Sequence, residues 1–307
     1  MTTSDAAVLL FFIDGLGIGT RGPHNPLDNL PNATPLAVFQ NEPAETFLDG
    51  VVVPTDPRLG IDGRPQSASG QTTILTGVNA PAAVGYHKQG FPNKALLEII
   101  AEHSIFRQLK AASVEPITFA NAYTSRFFDE RPRWVSATTA AVEAAGLSFR
   151  TVDDVRTDNA VFMDYTNRIL IERGEDVHVR SEREAAAVLS RIVNENRFTL
   201  YEYFITDKVG HAQDMTLAKT ILTSLALFIR ELLIRIDLDQ TTVILTSDHG
   251  NIEDLSLRNH TLHDVPTIIW GAQREAVAAR IQTLADITPA IVALLTTTVG
   301  PKKFFSM

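Results

Sequence analysis

Three strand-like runs that each stop at an aspartate constrain this chain more than any other feature. "AVLLFFI" runs into Asp14, "TLYEYFIT" into Asp207 and "TTVILTS" into Asp248. The first and third are continuous apolar or β-branched stretches, the pattern of strands covered on both faces in a parallel sheet. "PITFANAY" (116–123) and "VPTIIWG" (265–271) read as further strands. Helical patterns fill the intervals at 93–112, 181–196 and 214–236, and 285–295 closes the chain with Asp286 or Thr288 as possible caps. This alternation predicts an α/β fold, a three-layer sandwich with a mainly parallel central sheet, as one domain over 1–307. Two stretches break the rhythm. Residues 15–66, rich in Gly, Pro, Asn and Asp, read as long loops around a short helix, "TPLAVFQ", and 124–180 reads as a possible small cap or lid insertion.

Composition narrows the chemistry. The chain has no cysteine, so a metal ion would take Asp, Glu, His or hydroxyl ligands. A net charge of −9 gives no support to nucleic-acid binding. The run Ala6 to Ile13 lacks a basic flank and a cleavage site, and it is too short to span a bilayer. "ILTSLALFIRELLIRI" is interrupted by Arg230, Glu231 and Arg235 in helical rhythm, as in an amphipathic core helix. The expectation is a cytoplasmic protein with no membrane partner; its oligomeric state is open.

In open α/β sheets ligands sit beyond the carboxyl ends of the strands, where all three aspartates fall. Each alone reads as a turn former or helix cap. Histidines change that reading: His249 adjoins Asp248, His211 follows Asp207 by four, and His260 lies just before the last strand. The spacing of four brings Asp207 and His211 to one side if the chain turns helically there. His24, His87, His103, His178 and His263 lack such a setting. Mixed Asp/His ligands without sulfur suit Zn²⁺ or Mn²⁺. "RPQSASGQTTILTG" turns from small polar residues into a helical pattern, and Ser67 or Ser69 there is either an N-cap or a nucleophile at the positive end of a helix dipole.

Together these pieces resemble the alkaline phosphatase superfamily of two-metal phosphoryl-transfer enzymes, closest to the branch holding cofactor-independent phosphoglycerate mutase and phosphopentomutase. The resemblance rests on "FIDGLGIG", "LGIDGRPQSASGQTTILTG", "TDKVGHAQD", "TSDHGN" and "HTLHDVP", in that order from residue 8 to about 271. It implies two divalent metal ions, Mn²⁺ or Zn²⁺, one held by Asp207, His211 and His260, the other by Asp14, Asp248 and His249 with Ser67 touching it. The family's "NSEVGH" pattern selects Ser67 over Ser69 as catalytic nucleophile, although Ala68, Gln71 and Thr72 depart from it. The implied activity is a phosphoesterase working through a phosphoserine intermediate on a small phosphorylated substrate. The alternatives are a phosphomutase acting on a small phosphosugar or phosphosugar acid, and a non-catalytic metal-binding protein. The mutase carries a large inserted domain, but only positions 78–206 separate nucleophile from Asp207 here, which favours transfer to water. Arg126, Arg131, Arg133 and His87 are candidate substrate contacts, with Lys88 beside the last.

Overall fold

A computed structural model describes residues 6–33 and 35–296. The strands in chain order are β1 (Ala7–Ile13), β2 (Val51–Thr55), β3 (Ile117–Phe119), β4 (Ala122–Tyr123), β5 (Arg150–Thr151), β6 (Phe198–Tyr203), β7 (Thr241–Ser247) and β8 (Val265–Trp270). Six form the central sheet in the order β2-β8-β7-β1-β6-β3, and β4 and β5 pair separately. β7, β1, β6 and β3 are parallel neighbours, while β8 runs antiparallel to both β7 and β2.

Side chains on successive residues alternate between the two faces, which creates two cores. Leu9, Phe11 and Ile13 of β1 join Tyr201, Tyr203, Val243 and Leu245 under the helices Glu182–Asn194 and Met215–Arg235. Val8, Leu10 and Phe12 face the other way, with Phe198, Leu200 and Ile244, under the helices Ser67–Thr76, Ile105–Ala111, Ala137–Ala144 and Ile287–Thr296. The result is the expected α/β sandwich with a mainly parallel sheet. No helix among the described residues is long and apolar enough to cross a membrane.

Several local expectations are corrected. The pattern at 93–112 is two helices, Lys94–His103 and Ile105–Ala111, because the Ser104 side chain accepts from Arg107 N and starts a second helix. A 3-10 turn, Leu284–Asp286, leads into the last helix and is capped by Thr283 in a capping box with Asp286, while Thr288 lies inside the helix and donates to Ile74 O. "TPLAVFQ" does not form a helix over its described residues (Thr34 lies outside them). Leu36 N and Ala37 N both bond Ala33 O in a single turn, after which Gln40 N bonds Gly19 O and Phe39 bridges Gly19. The 15–66 segment also contains β2, whose Pro54 is tolerated because β2 is an edge strand. "PITFANAY" splits into β3 and β4, and the helix Ala137–Ala144, inside 124–180, packs into the main core.

The rest of 124–180 builds a small satellite core from Val152, Val155, Ala160, Phe162 and Leu170, with Ala122 from just before it. The buried Arg180 ties it together, donating to Ala160 O at 2.9 Å, Val155 O at 2.5 Å and Asp158 Oδ1 at 2.6 Å.

Phe228 is the aromatic hub of the first core: its ring stacks on Tyr165 at 4.2 Å and meets Phe11 and Tyr201 at 5.9 Å. Phe228→Ala should lower the unfolding free energy by about 3–5 kcal/mol in urea titration. A change below about 1 kcal/mol would show that this packing is not what holds helix to sheet.

Candidate metal centre

β7, β1 and β6 are neighbours, so the loops leaving their carboxyl ends meet at one end of the sheet. Asp14 comes directly after β1 and Asp248-His249 directly after β7. β6 stops at Tyr203, and Asp207 and His211 lie four apart on the helix Ile205–Ala212, facing the same side. Asp207 therefore reaches the site from the first turn of a helix rather than from the strand end its sequence suggests. His260 arrives from the loop before β8.

These residues form two adjoining clusters. His211 Nε2 lies 3.4 Å from Asp207 Oδ2, and His260 Nε2 lies 3.4 Å from Asp207 Oδ1 and 3.3 Å from His211 Nε2. His249 Nε2 lies 3.3 Å from Asp14 Oδ1, 3.5 Å from Asp248 Oδ2 and 3.0 Å from Ser67 Oγ. The His249 and His260 rings stack at 3.6 Å, which holds the clusters side by side.

The two sets fit the divalent cations that the sequence implies. His211 Nδ1–H donates to Arg258 O at 2.7 Å and His260 Nδ1–H to Pro65 O at 2.8 Å. Those bonds fix the tautomers and leave each Nε2 lone pair aimed at Asp207, as outer hydrogen bonds do for metal-binding histidines. Asp14 Oδ1 is buried without a hydrogen-bond partner, an acceptor that a cation would satisfy. Asp207 and His260 with His211, and Asp14 and Asp207 with His249, each bring ligand atoms within 4.8 Å of one another.

Burial and neighbouring charge compete across the site. It pushes the Asp14 carboxyl above its usual range and, with the neighbouring Asp14 charge, raises Asp248 well above it. Burial opposes the charged form of His249, yet the carboxylates of Asp248 and Asp14 carry that imidazole up to about 10. Burial also works against ionised Asp207, but the adjacent His260 and His249 and the hydrogen bond from Asn251 outweigh it and hold Asp207 below the usual range.

A supporting shell locks the loops. Gln71 Nε2 donates to Asp14 Oδ2 and Asp248 Oδ2, both at 3.2 Å, and Asn251 Nδ2 donates to Asp207 Oδ1 at 2.6 Å. Buried Glu253 accepts from Gly17 N, Asn251 N, Thr261 Oγ1 and His263 Nδ1, at 2.6–3.0 Å, so His263 braces a loop rather than joining the cluster. A side chain at Gly15, which has φ +76°, would lie 2.9 Å from the Asp207 backbone, and one at Gly70 would lie 2.9 Å from Asp248 O. Both glycines let the ligand loops close on one another.

Ser67 is the first residue of its helix and borders a cavity of about 510 Å³. Ser69 is fully buried, donates to Gln66 O and accepts from Lys88 N. Of the expected substrate contacts, Arg126 pairs with Glu130 at 2.8 Å, Arg131 with Glu143 at 2.5 Å, and Arg133 lies over Trp134. His87 Nε2 sits 3.2 Å from Ile61 O, and none of the four lines the cavity. Arg173 and Glu202, which sequence reading passes over, do line it. Glu202 leaves a trace in the sequence, as the one acid within the run "FTLYEY" of β6.

Residues 153–299 match the metalloenzyme superfamily model. The match takes in Asp207, His211, Asp248, His249 and His260, while Asp14 and Ser67 lie outside it. A 100-residue stretch is 32% identical to the 2,3-bisphosphoglycerate-independent phosphoglycerate mutase of Dinoroseobacter shibae, covering 30% of this chain and 20% of that protein. The chain thus spans about a fifth of the length of that relative. The PH0037 protein of Pyrococcus horikoshii shares the fold with a TM-score of 0.54 at 14% identity, over 96% of this chain and 99% of that one. The lipoteichoic acid synthase LtaP of Listeria monocytogenes does so with a TM-score of 0.51 at 13% identity, over 99% and 75%. The alkaline phosphatase-like resemblance and the sandwich expected from the motifs agree with these findings.

Metal and protons compete for the same atoms, which sets a pH dependence. Asp14, Asp248 and His249 have raised pKa values, so their protonated forms stabilise the metal-free fold and that contribution is lost as pH rises through the shifted values. Divalent ions need the deprotonated carboxylates and the free imidazole lone pair. The melting-temperature gain on adding Mn²⁺ or Zn²⁺ should therefore widen from about pH 5.5 to about pH 8.5. A gain that shrinks over that range would contradict this ligand assignment.

Proposed function

We propose that this metal-dependent enzyme is a phosphoesterase that hydrolyses a small phosphate ester through a phosphoserine on Ser67. The observation that carries the reading is the position of Ser67 Oγ, 3.0 Å from His249 Nε2, at the start of a helix and on the wall of the cavity. Among the described residues no other serine has that combination; Ser69 spends its hydroxyl on the backbone.

Asp207, His211 and His260 would hold one divalent ion, and Asp14, Asp248 and His249 with Ser67 the other, the ions being Mn²⁺ or Zn²⁺. When bound, such a pair ionises the nucleophile and stabilises charge on the attacking and leaving oxygens. Ser67 Oγ attacks phosphorus in line with the ester oxygen, the alcohol departs, and water then cleaves the phosphoserine to regenerate the hydroxyl. The positive end of the Ser67–Thr76 helix dipole favours the anionic phosphoryl group at that position. Gln71 and Asn251 keep Asp14, Asp248 and Asp207 aimed through both steps.

Water is the acceptor in this reading because the cavity is open at its rim, where Phe91 and Trp134 are half exposed. The 124–180 segment supplies much of the wall and serves as a partial cap, although its Ala137–Ala144 helix is part of the main core. The match to a phosphoglycerate mutase favours a second reading, transfer of the phosphoryl group back to an isomerised product. Phosphate retained in such a product, rather than released, distinguishes the two.

Metal-stripped protein reloaded with Mn²⁺ or Zn²⁺ should release phosphate from a chromogenic phosphomonoester. Ser67→Ala should lower kcat at least a thousandfold, on the order seen when a nucleophile is lost, while the Asp and His ligands still take up metal. Full activity in Ser67→Ala would overturn the nucleophile assignment, and absence of turnover in the metal-loaded wild type would sink the phosphoesterase reading.

A further inference from the structure

The cavity beside Ser67 has a composition that a phosphosugar acid does not suit. Its walls carry the rings of Phe119, Tyr123, Phe127, Trp134, Phe162 and Phe204. Arg173 is the one cationic side chain among the described lining residues, and it lies 5.9 Å over the Phe162 ring. A substrate with a second anionic group beyond its phosphate would find little to balance it there.

The aromatic wall is built rather than incidental. Tyr123 packs against Phe127 at 4.5 Å and Phe149 at 4.7 Å, and Phe127 meets Phe128 edge-on at 5.2 Å. Tyr123 is held further by its hydroxyl, 2.8 Å from Thr139 Oγ1. Rings braced in this way lose little freedom when another ring is placed against them.

Glu202 supplies one polar feature. It is 1% exposed, yet it lines the cavity, and its Oε1 has no hydrogen-bond partner. Asn121 fixes its backbone from both sides, accepting from Glu202 N at 2.9 Å and donating to Glu202 O at 2.7 Å. On β6 it faces the same way as Phe198 and Leu200, where the pattern calls for an apolar residue. A buried carboxyl oxygen without a partner in an apolar cavity is unfavourable unless a ligand meets it.

We propose that the leaving alcohol of the substrate carries an aromatic ring, seated among Phe127, Trp134 and Phe162, with an uncharged polar substituent that hydrogen-bonds to Glu202. The inference deepens the phosphoesterase reading and rests on it for the phosphate. Trp134 and Phe91, 54% and 50% exposed, flank the entrance, so a ring would meet them first on its way in.

The test is calorimetric binding to metal-loaded Ser67→Ala, which requires no turnover. 1-Naphthyl phosphate should bind at least about tenfold more tightly than glycerol 3-phosphate, and the combined Phe127→Ala and Trp134→Ala variant should remove that preference. Among naphthyl phosphates bearing one hydroxyl, at least one isomer should bind better than the parent. That advantage should persist in Glu202→Gln and vanish in Glu202→Met, with the circular-dichroism spectrum of each variant checked against the parent. Equal binding of naphthyl and glycerol esters would overturn the ring assignment, and no favoured hydroxylated isomer would overturn the role of Glu202. Selective binding together with a wild type that turns over no ester would instead sink the phosphoesterase reading and leave the ligand class standing.

Discussion

Asp14, Asp207 and Asp248 converge at one end of a parallel sheet, and carboxylates held out of water near one another repel. The fold brings them there by its strand order, with β7, β1 and β6 side by side, and neighbouring loops reinforce the convergence. Burial pushes Asp14 and Asp248 upward, and the carboxylates of Asp248 and Asp14 carry His249 up to about 10 against its own burial, so these groups hold protons more tightly than they do in water. Divalent cations relieve the same repulsion and take the lone pairs that His211 and His260 already aim inward. Gln71, Asn251, Glu253 and the close approach at Gly15 and Gly70 all serve to hold this crowded arrangement in place.

The crowding also explains where reaction chemistry can occur. Ser67 begins a helix packed directly on the Asp248 loop, so its hydroxyl meets His249 while its neighbour Ser69 is turned into the backbone. The cavity then extends away from the carboxylates towards aromatic side chains of the 117–123 region and the 124–180 segment. Charge is concentrated at one end of that space and nearly absent from the other. In the proposed reading the first end takes the phosphate and the second the leaving alcohol.

Much of this was legible in the residues. Continuous apolar or β-branched runs identified β1 and β7 because strands buried on both faces are built mostly from such residues, and the aspartates stood out at their ends. The i, i+4 spacing of Asp207 and His211 anticipated the helix Ile205–Ala212. Other features depend on distant partners that no local pattern records. "TPLAVFQ" turns once and then bridges Gly19, and β2 exists because β8 offers it an edge. Arginines at 126, 131 and 133 carry the charge expected of phosphate contacts, but Glu130, Glu143 and the Trp134 ring occupy them. Glu202 was visible as an acid in an apolar strand, while its place on the cavity wall follows only from the register of β6 against β1 and β3.

The central claim is that Ser67 carries the phosphoryl group between the ester and water. Metal-loaded protein can be mixed with a phosphomonoester, quenched in acid during turnover, digested and analysed by tandem mass spectrometry. The account predicts a peptide heavier by one phosphoryl group, with fragment ions placing the group on Ser67. Steady turnover with that peptide unmodified, or with phosphate on Ser69 or Thr72 instead, would contradict it.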